Sequence, residues 1–166
     1  MPAFELVDAV EWTRSAAGSL AVSSLDVRTH SAVHVMKGAV TKVLGPRRFV
    51  FGENGVLKFK GESAPTPQEL GKIGAAANRK IAEDAEILEF DMDRQEAEGH
   101  FGTGIYDLSP EPAPGELLRI VRIHDWEASY CPQAHVESTG SIGAIKVDGA
   151  TFDAARKEVV IRFHLL

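Results

Sequence analysis

Two pairs of metal-binding side chains, far apart in the sequence, restrict what this chain can fold into. His30-Ser31-Ala32-Val33-His34 opens an apolar, helix-spaced segment, and the only cysteine opens Cys131-Pro132-Gln133-Ala134-His135. On a helix, residues i and i+4 share a face about 6 Å apart along the axis, so both imidazoles of the first pair can reach one ion. Thiolate with imidazole is the donor pair zinc favours. Pro132 breaks any helix through the second pair, so a turn presents it. Together the pairs form a complete tetrahedral zinc set, and one ion held by all four would clip the sheet region to the first helix. Taken singly, each pair also has a bland reading: solvated or core-satisfied histidines, and a buried cysteine acting as a small hydrophobe. His100, His124 and His164 lie outside the pattern and read as surface or strand residues. No glutamate lies between His30 and His34, so the His-Glu-x-x-His metalloprotease arrangement with its built-in base is absent.

The 166 residues fit one domain, 1–166, with an ordinary globular composition of 44% hydrophobic and 25% charged residues. No apolar run reaches the ~20 residues that span a bilayer, and the N-terminus has no secretory pattern. With a single cysteine there is no internal disulfide, which suits a reducing cytoplasm. Apolar spacing predicts a helix from about Thr29 to Leu44, stopped by Gly45-Pro46. Arg48–Phe51 and Val56–Lys60 read as strands around a Gly-Glu-Asn-Gly turn. Thr66, Pro67 and Glu69 form a capping box for a second helix with Leu70, Ile73, Ala77 and Ile81 as its stripe. Ile87–Met92 reads as a strand, Asp93 and Glu96 cap a short helix to about 101, and the proline-rich 109–115 is a loop. Leu117–Ile123, Ile142–Val147 and Val159–Leu165 read as further strands. Helices and strands mix without βαβ regularity, which predicts an α+β fold with a mostly antiparallel sheet.

Net charge is −6, yet residues 28–60 carry seven bases (Arg28, Lys37, Lys42, Arg47, Arg48, Lys58, Lys60) against one acid, Glu53. Such a segment is either a solvated surface or a phosphate-contacting face, and its place beside the His pair favours the second.

Arg28-Thr29-His30-Ser31-Ala32-Val33-His34 is similar to the first motif of the alanyl-tRNA synthetase editing domain and its free-standing short-form AlaX relatives. Cys131-x3-His135-x3-Thr139-Gly140-x-Ile142-Gly143 resembles their second motif. Asn78–Ile87, Phe101-Gly102-x2-Ile105-Tyr106-Asp107-Leu108 and Ile123-x-Asp125-Trp126 resemble the short form, so the likeness covers roughly 26–166 and leaves 1–25 as an extra N-terminal segment. The resemblance implies the α+β fold of the alanyl- and threonyl-tRNA synthetase editing domains. It further implies zinc-dependent hydrolysis, in trans, of mischarged tRNA(Ala), above all Ser-tRNA(Ala) and also Gly-tRNA(Ala). An aminoacyl ester is easier to cleave than a peptide, and a zinc-bound water with its pKa lowered to about 7 suffices for it. On this reading His30, His34, Cys131 and His135 hold zinc. Thr139, Gly140 and Gly143 shape the substrate pocket, the glycines allowing close backbone approach. Arg47, Arg48, Lys58 and Lys60 contact the acceptor-end phosphates.

Four protein ligands describe a closed structural site, whereas catalytic zinc keeps a position open, so either one ligand is loosely held, with His135 the candidate, or the metal expands to five-coordinate. One feature departs from the family's pattern. No Ser or Thr occurs between Thr41 and Ser63, where short-form relatives carry a hydroxyl that helps tell serine from alanine. Hydrogen bonding to a substrate hydroxyl can discriminate by about 10⁴–10⁵, size alone by only ~10². Phe4–Trp12 could add an edge strand. Two rival functions remain open: a non-catalytic zinc-containing tRNA-binding module of the same fold, and a zinc hydrolase of another small ester.

Overall fold

A computed structural model describes residues 24–108 and 117–166. The N-terminal segment 1–23, with the proposed edge strand, and the loop at 109–116 lie outside the described residues. In chain order the elements are α1 (Ser24–Leu44), β1 (Phe49–Glu53), β2 (Val56–Lys60), α2 (Pro67–Ala82), β3 (Ile87–Asp93), α3 (Arg94–Phe101), β4 (Leu117–Ile123), β5 (Ala128–Tyr130), β6 (Ile145–Asp153) and β7 (Glu158–Leu165). Short 3₁₀ turns occupy Thr103–Ile105 and Thr139–Ile142. The strands form two antiparallel sheets, in the orders β1-β2-β7-β6 and β3-β4-β5. The fold is α+β. No described helix is long and apolar enough to cross a membrane.

α1 is the axis of the molecule. Every residue from Ser31 to Val40 is buried, so the helix is enclosed all round rather than on one stripe. It begins at Ser24, earlier than the spacing predicts, and polar contacts from Arg28 and Ser31 fasten its N-terminal part. Arg28 donates to the Ile142 carbonyl through Nε (3.0 Å) and Nη2 (2.7 Å). Ser31 Oγ accepts from the Val136 N–H (2.9 Å) and donates to Val27 O (2.8 Å). Midway along the helix, Trp126 lies against Gly38 and donates from Nε1 to the Val35 carbonyl (3.1 Å). A side chain at 38 would run into that indole, which explains a glycine in a helix interior despite its cost of about 1 kcal/mol. Gly45, at φ +87°, ends the helix as expected.

α2 starts at the predicted capping box: Thr66 Oγ1 accepts from the Glu69 N–H (3.1 Å) and Glu69 Oε1 from the Thr66 N–H (2.9 Å). Its buried residues include Ile73, Ala76, Ala77 and Ile81, in the same core as α1 and the four-stranded sheet. Asn78 clamps β6 by bonding both polar groups of Ile145 at 2.9 Å.

The three-stranded sheet is covered on both faces. Ile87, Val121 and Ile123 join the main core, while Leu118 and Ile120 pack with Ala97, Ile105 and Tyr106 in a second one. Strand expectations fail in two places. Ile142 belongs to the 3₁₀ turn, because Gly143 at φ +87° intervenes, and the strand starts at Ile145. It then continues past Asp148-Gly149, whose turn chemistry is spent on a β-bulge, to Asp153. The three-residue β5 was not read at all, being too short to show a period.

Candidate metal centre

α1 presents His30 and His34 one turn apart, and the segment after β5 brings Cys131 and His135 against them. Cys131 is anchored by its N–H to the Arg119 carbonyl (3.0 Å), which carries the β4–β5 ladder up to the site. The three imidazoles cluster with centroids 5.2 Å (His30–His34), 4.9 Å (His30–His135) and 4.8 Å (His34–His135) apart. His30 Nε2 lies 3.1 Å from Cys131 Sγ. One ligand atom from each of the four residues falls within 4.8 Å of the others. Metal–nitrogen and metal–sulfur bonds of about 2.0–2.3 Å in a tetrahedron put ligand atoms roughly 3.3–3.8 Å apart, so small side-chain adjustments suffice to close the set.

The chemistry of the donors fits a cation. Nε2 of His34 and Nε2 of His135 are buried without a hydrogen-bond partner. A buried polar atom left so costs about 1–3 kcal/mol, and two of them beside a thiol mark a place where an ion compensates. Burial pushes the His34 imidazole down to about 3, keeping it neutral and able to donate a lone pair. Burial also opposes charge on His135 and on Cys131, but each favours the other's charged form. The thiol is held well below its ordinary range by His135, His30 and His34, and the His135 imidazole is driven up to about 9 by the Cys131 sulfur and Glu89. The sulfur and the imidazole thus each draw the other toward its charged form, and a divalent cation held by both would take over that role from the proton.

His34, Cys131 and His135 are buried, and His30 alone among the four reaches solvent. This reverses the expectation that His135 is the loose ligand. His135 is 1% exposed and doubly tethered to Glu89, whose Oε1 lies 3.2 Å from both the His135 backbone nitrogen and Nδ1. Arg119 Nη2 holds the other carboxylate oxygen at 3.0 Å. Glu89 was missed in the sequence because an acid in a strand reads as solvent-facing. Its spacing of two from Ile87 was the available signal, since both then point into the same core.

The other expected site residues do not all converge here. Thr139 is fully buried, and its hydroxyl is committed to backbone: it accepts from the Ala85 N–H (2.8 Å) and donates to Lys80 O (2.8 Å). The Gly140 N–H donates to Asp84 (3.0 Å), and Gly143 has its left-handed turn beside Arg28. Arg28 and Ser31 dock this turn on the start of α1. Lys58 and Lys60 both pair with Glu158, at 3.7 and 3.1 Å, and Arg48 is exposed. Arg47 and Lys60 line a recess of about 430 Å³ with Leu44, Phe59 and Glu69. Leu44 lies ten residues beyond His34, roughly 15 Å along the helix. Arg47 and Lys60 therefore stand at the far end of α1 from the His and Cys cluster. Lys37, less than one turn past His34, is buried and paired with Asp107 at 2.7 Å.

No family model matches the chain. Among curated proteins it is 36% identical over 145 residues to the alanine–tRNA ligase of Hyperthermus butylicus, covering 84% of this chain and 15% of the ligase. The Thermofilum pendens and Methanosarcina barkeri alanine–tRNA ligases are each 34% identical over 128 residues, covering 74% and 72% of this chain. The chain belongs to the alanyl-tRNA synthetase editing-domain family. It spans about a seventh of the length of the ligases it matches.

Proposed function

We propose that this editing-domain family member is a cytoplasmic zinc-dependent hydrolase that deacylates mischarged tRNA(Ala) in trans, with Ser-tRNA(Ala) as its first substrate and Gly-tRNA(Ala) as its second. The observation that carries the reading is the buried His34–Cys131–His135 set, with two unpartnered ring nitrogens, opening to solvent on the His30 side. When bound there, zinc supplies Lewis-acid polarisation of a carbonyl or of water. His34, Cys131 and His135 form the fixed base of the site, and His30 is the side chain at its mouth. The burial of His34, Cys131 and His135 keeps bulk water from these three donors, which strengthens the electrostatic interactions there.

Arg47, Arg48, Lys58 and Lys60 are proposed to meet phosphates further up the acceptor end, and the roughly 15 Å offset of Arg47 and Lys60 suits a strand running along α1 rather than the terminal nucleotide. Thr139, Gly140 and Gly143 would contribute to the pocket through backbone and shape, since the Thr139 hydroxyl is already bonded. The Ser31 hydroxyl, buried and doubly bonded, is likewise not free to recognise a substrate hydroxyl.

Deacylation of Ser-, Gly- and Ala-charged tRNA(Ala), with and without a chelator, tests the proposal. Chelator-sensitive release of serine, ahead of alanine, is the expected result. Zinc at stoichiometric content without deacylation would favour the non-catalytic tRNA-binding module, a reading to which four protein ligands around one ion also lend weight. Chelator-sensitive cleavage of simple esters but of no aminoacyl-tRNA would favour the small-ester hydrolase.

A further inference from the structure

Glu89 is a fully buried carboxylate on β3 to which the proposed chemistry gives no role. Burying such a charge costs several kcal/mol unless partners compensate it. Here one oxygen, Oε1, serves two donors of a single residue, the backbone N–H and ring Nδ1 of His135, each at 3.2 Å. The other oxygen takes the Arg119 guanidinium at 3.0 Å. Main chain and ring of His135 are thereby held by the same atom, and the carboxylate is held from behind, through its other oxygen, by the neighbouring strand.

We propose that Glu89 is the positioning residue of the metal centre, fixing His135 so that Nε2 and not Nδ1 is the ligating atom. The inference rests on the metal-dependent reading above. A carboxylate only accepts, so Nδ1 carries the ring proton and the lone pair is left on Nε2. Nε2 of His135 is buried without a hydrogen-bond partner, and its ring lies tilted against that of His30 and edge-on to that of His34. Carboxylate support of a ligating imidazole raises its basicity and orients it, and losing such support weakens metal binding by about 10–100-fold. Glu89→Gln keeps the shape but offers a neutral acceptor to His135 and a donor where Arg119 also donates.

The test is the zinc dissociation constant of the intact chain, measured by competition with a chromophoric chelator, for wild type and E89Q, with far-UV circular dichroism to show that both are folded. A loss of about 10–100-fold is expected. Folded E89Q that binds zinc within about twofold of wild type overturns the proposal. A second measurement needs no variant: long-range ¹⁵N–¹H correlation of the zinc-loaded wild type assigns the ring atoms of His135. Protonated Nδ1 with metal-bound Nε2 is expected, and the reverse assignment overturns the proposal whether or not E89Q folds. Wild type that binds no zinc removes the metal reading itself, a result distinct from tight wild-type binding that E89Q leaves unchanged.

Discussion

At the scale of single residues, the centre pushes neighbouring imidazoles in opposite directions, His34 down and His135 up. His34, held down to about 3 by burial, is neutral in the folded state where an unfolded histidine titrates near 6.5. A depressed value means that the unfolded chain takes up the proton first. Stability is therefore fully present above pH 6.5 and drains as pH falls toward 3, at about 1.4 kcal/mol per unit. Urea unfolding of metal-free protein at pH 7 and pH 5 should show this loss, and His34→Leu should show distinctly less of it. Cys131 contributes the one sulfur donor. Cys131→Ala should lower zinc affinity by at least about 100-fold and abolish chelator-sensitive deacylation, with zinc content after dialysis as the check. The four-residue cluster was legible because spacing alone puts His30 and His34 on one face and because a lone cysteine with a nearby histidine is conspicuous. Glu89 was not, since only the pairing of β3 with β4 and the approach of residue 135 turn an ordinary strand acid into a ligand support.

At the scale of elements, local chemistry was a good guide wherever the signal was itself local. The Thr66 capping box, the Asp93 cap of α3 and the Gly45 stop each stand where the sequence puts them. Long-range partners were opaque. Nothing near Gly38 announces that residue 126 will fill the space beside it, and the bulge at Gly149 exists only because β7 pairs through it. Gly38→Ala is accordingly a discriminating change. Helix propensity alone favours alanine by about 1 kcal/mol. The collision with the indole should outweigh this and destabilise the protein by about 1–3 kcal/mol, read as a lowered urea midpoint. A stabilised variant would show that the indole moves aside at no cost.

At the scale of the whole molecule, the four ligands belong to two different parts of the fold. His30 and His34 ride on the helix packed in the main core with the four-stranded sheet, whereas Cys131 and His135 extend from the three-stranded one. An ion bound only by the folded state adds about 2.7 kcal/mol at a hundred times its dissociation constant, or roughly 5–10 °C in a chain of this size. Calorimetry with zinc and with excess chelator should show that gap, and superimposable scans would mean that the cluster holds no ion. Charge placement, by contrast, misled at this scale. Residues 28–60 are basic as a run, but α1 carries Lys37 into a buried ion pair and sets Arg47 and Lys60 at its distant end.

Trp126 touches the same helix about one turn past His34, with the Lys80 ammonium 4.9 Å and the Lys42 ammonium 5.8 Å from its ring. Any loosening of α1 when ligands let go would change the polarity around that indole and hence the colour and yield of its emission. With Trp12→Phe removing the second fluorophore, the protein would carry its own optical gauge of occupancy, readable in a cuvette without label or substrate.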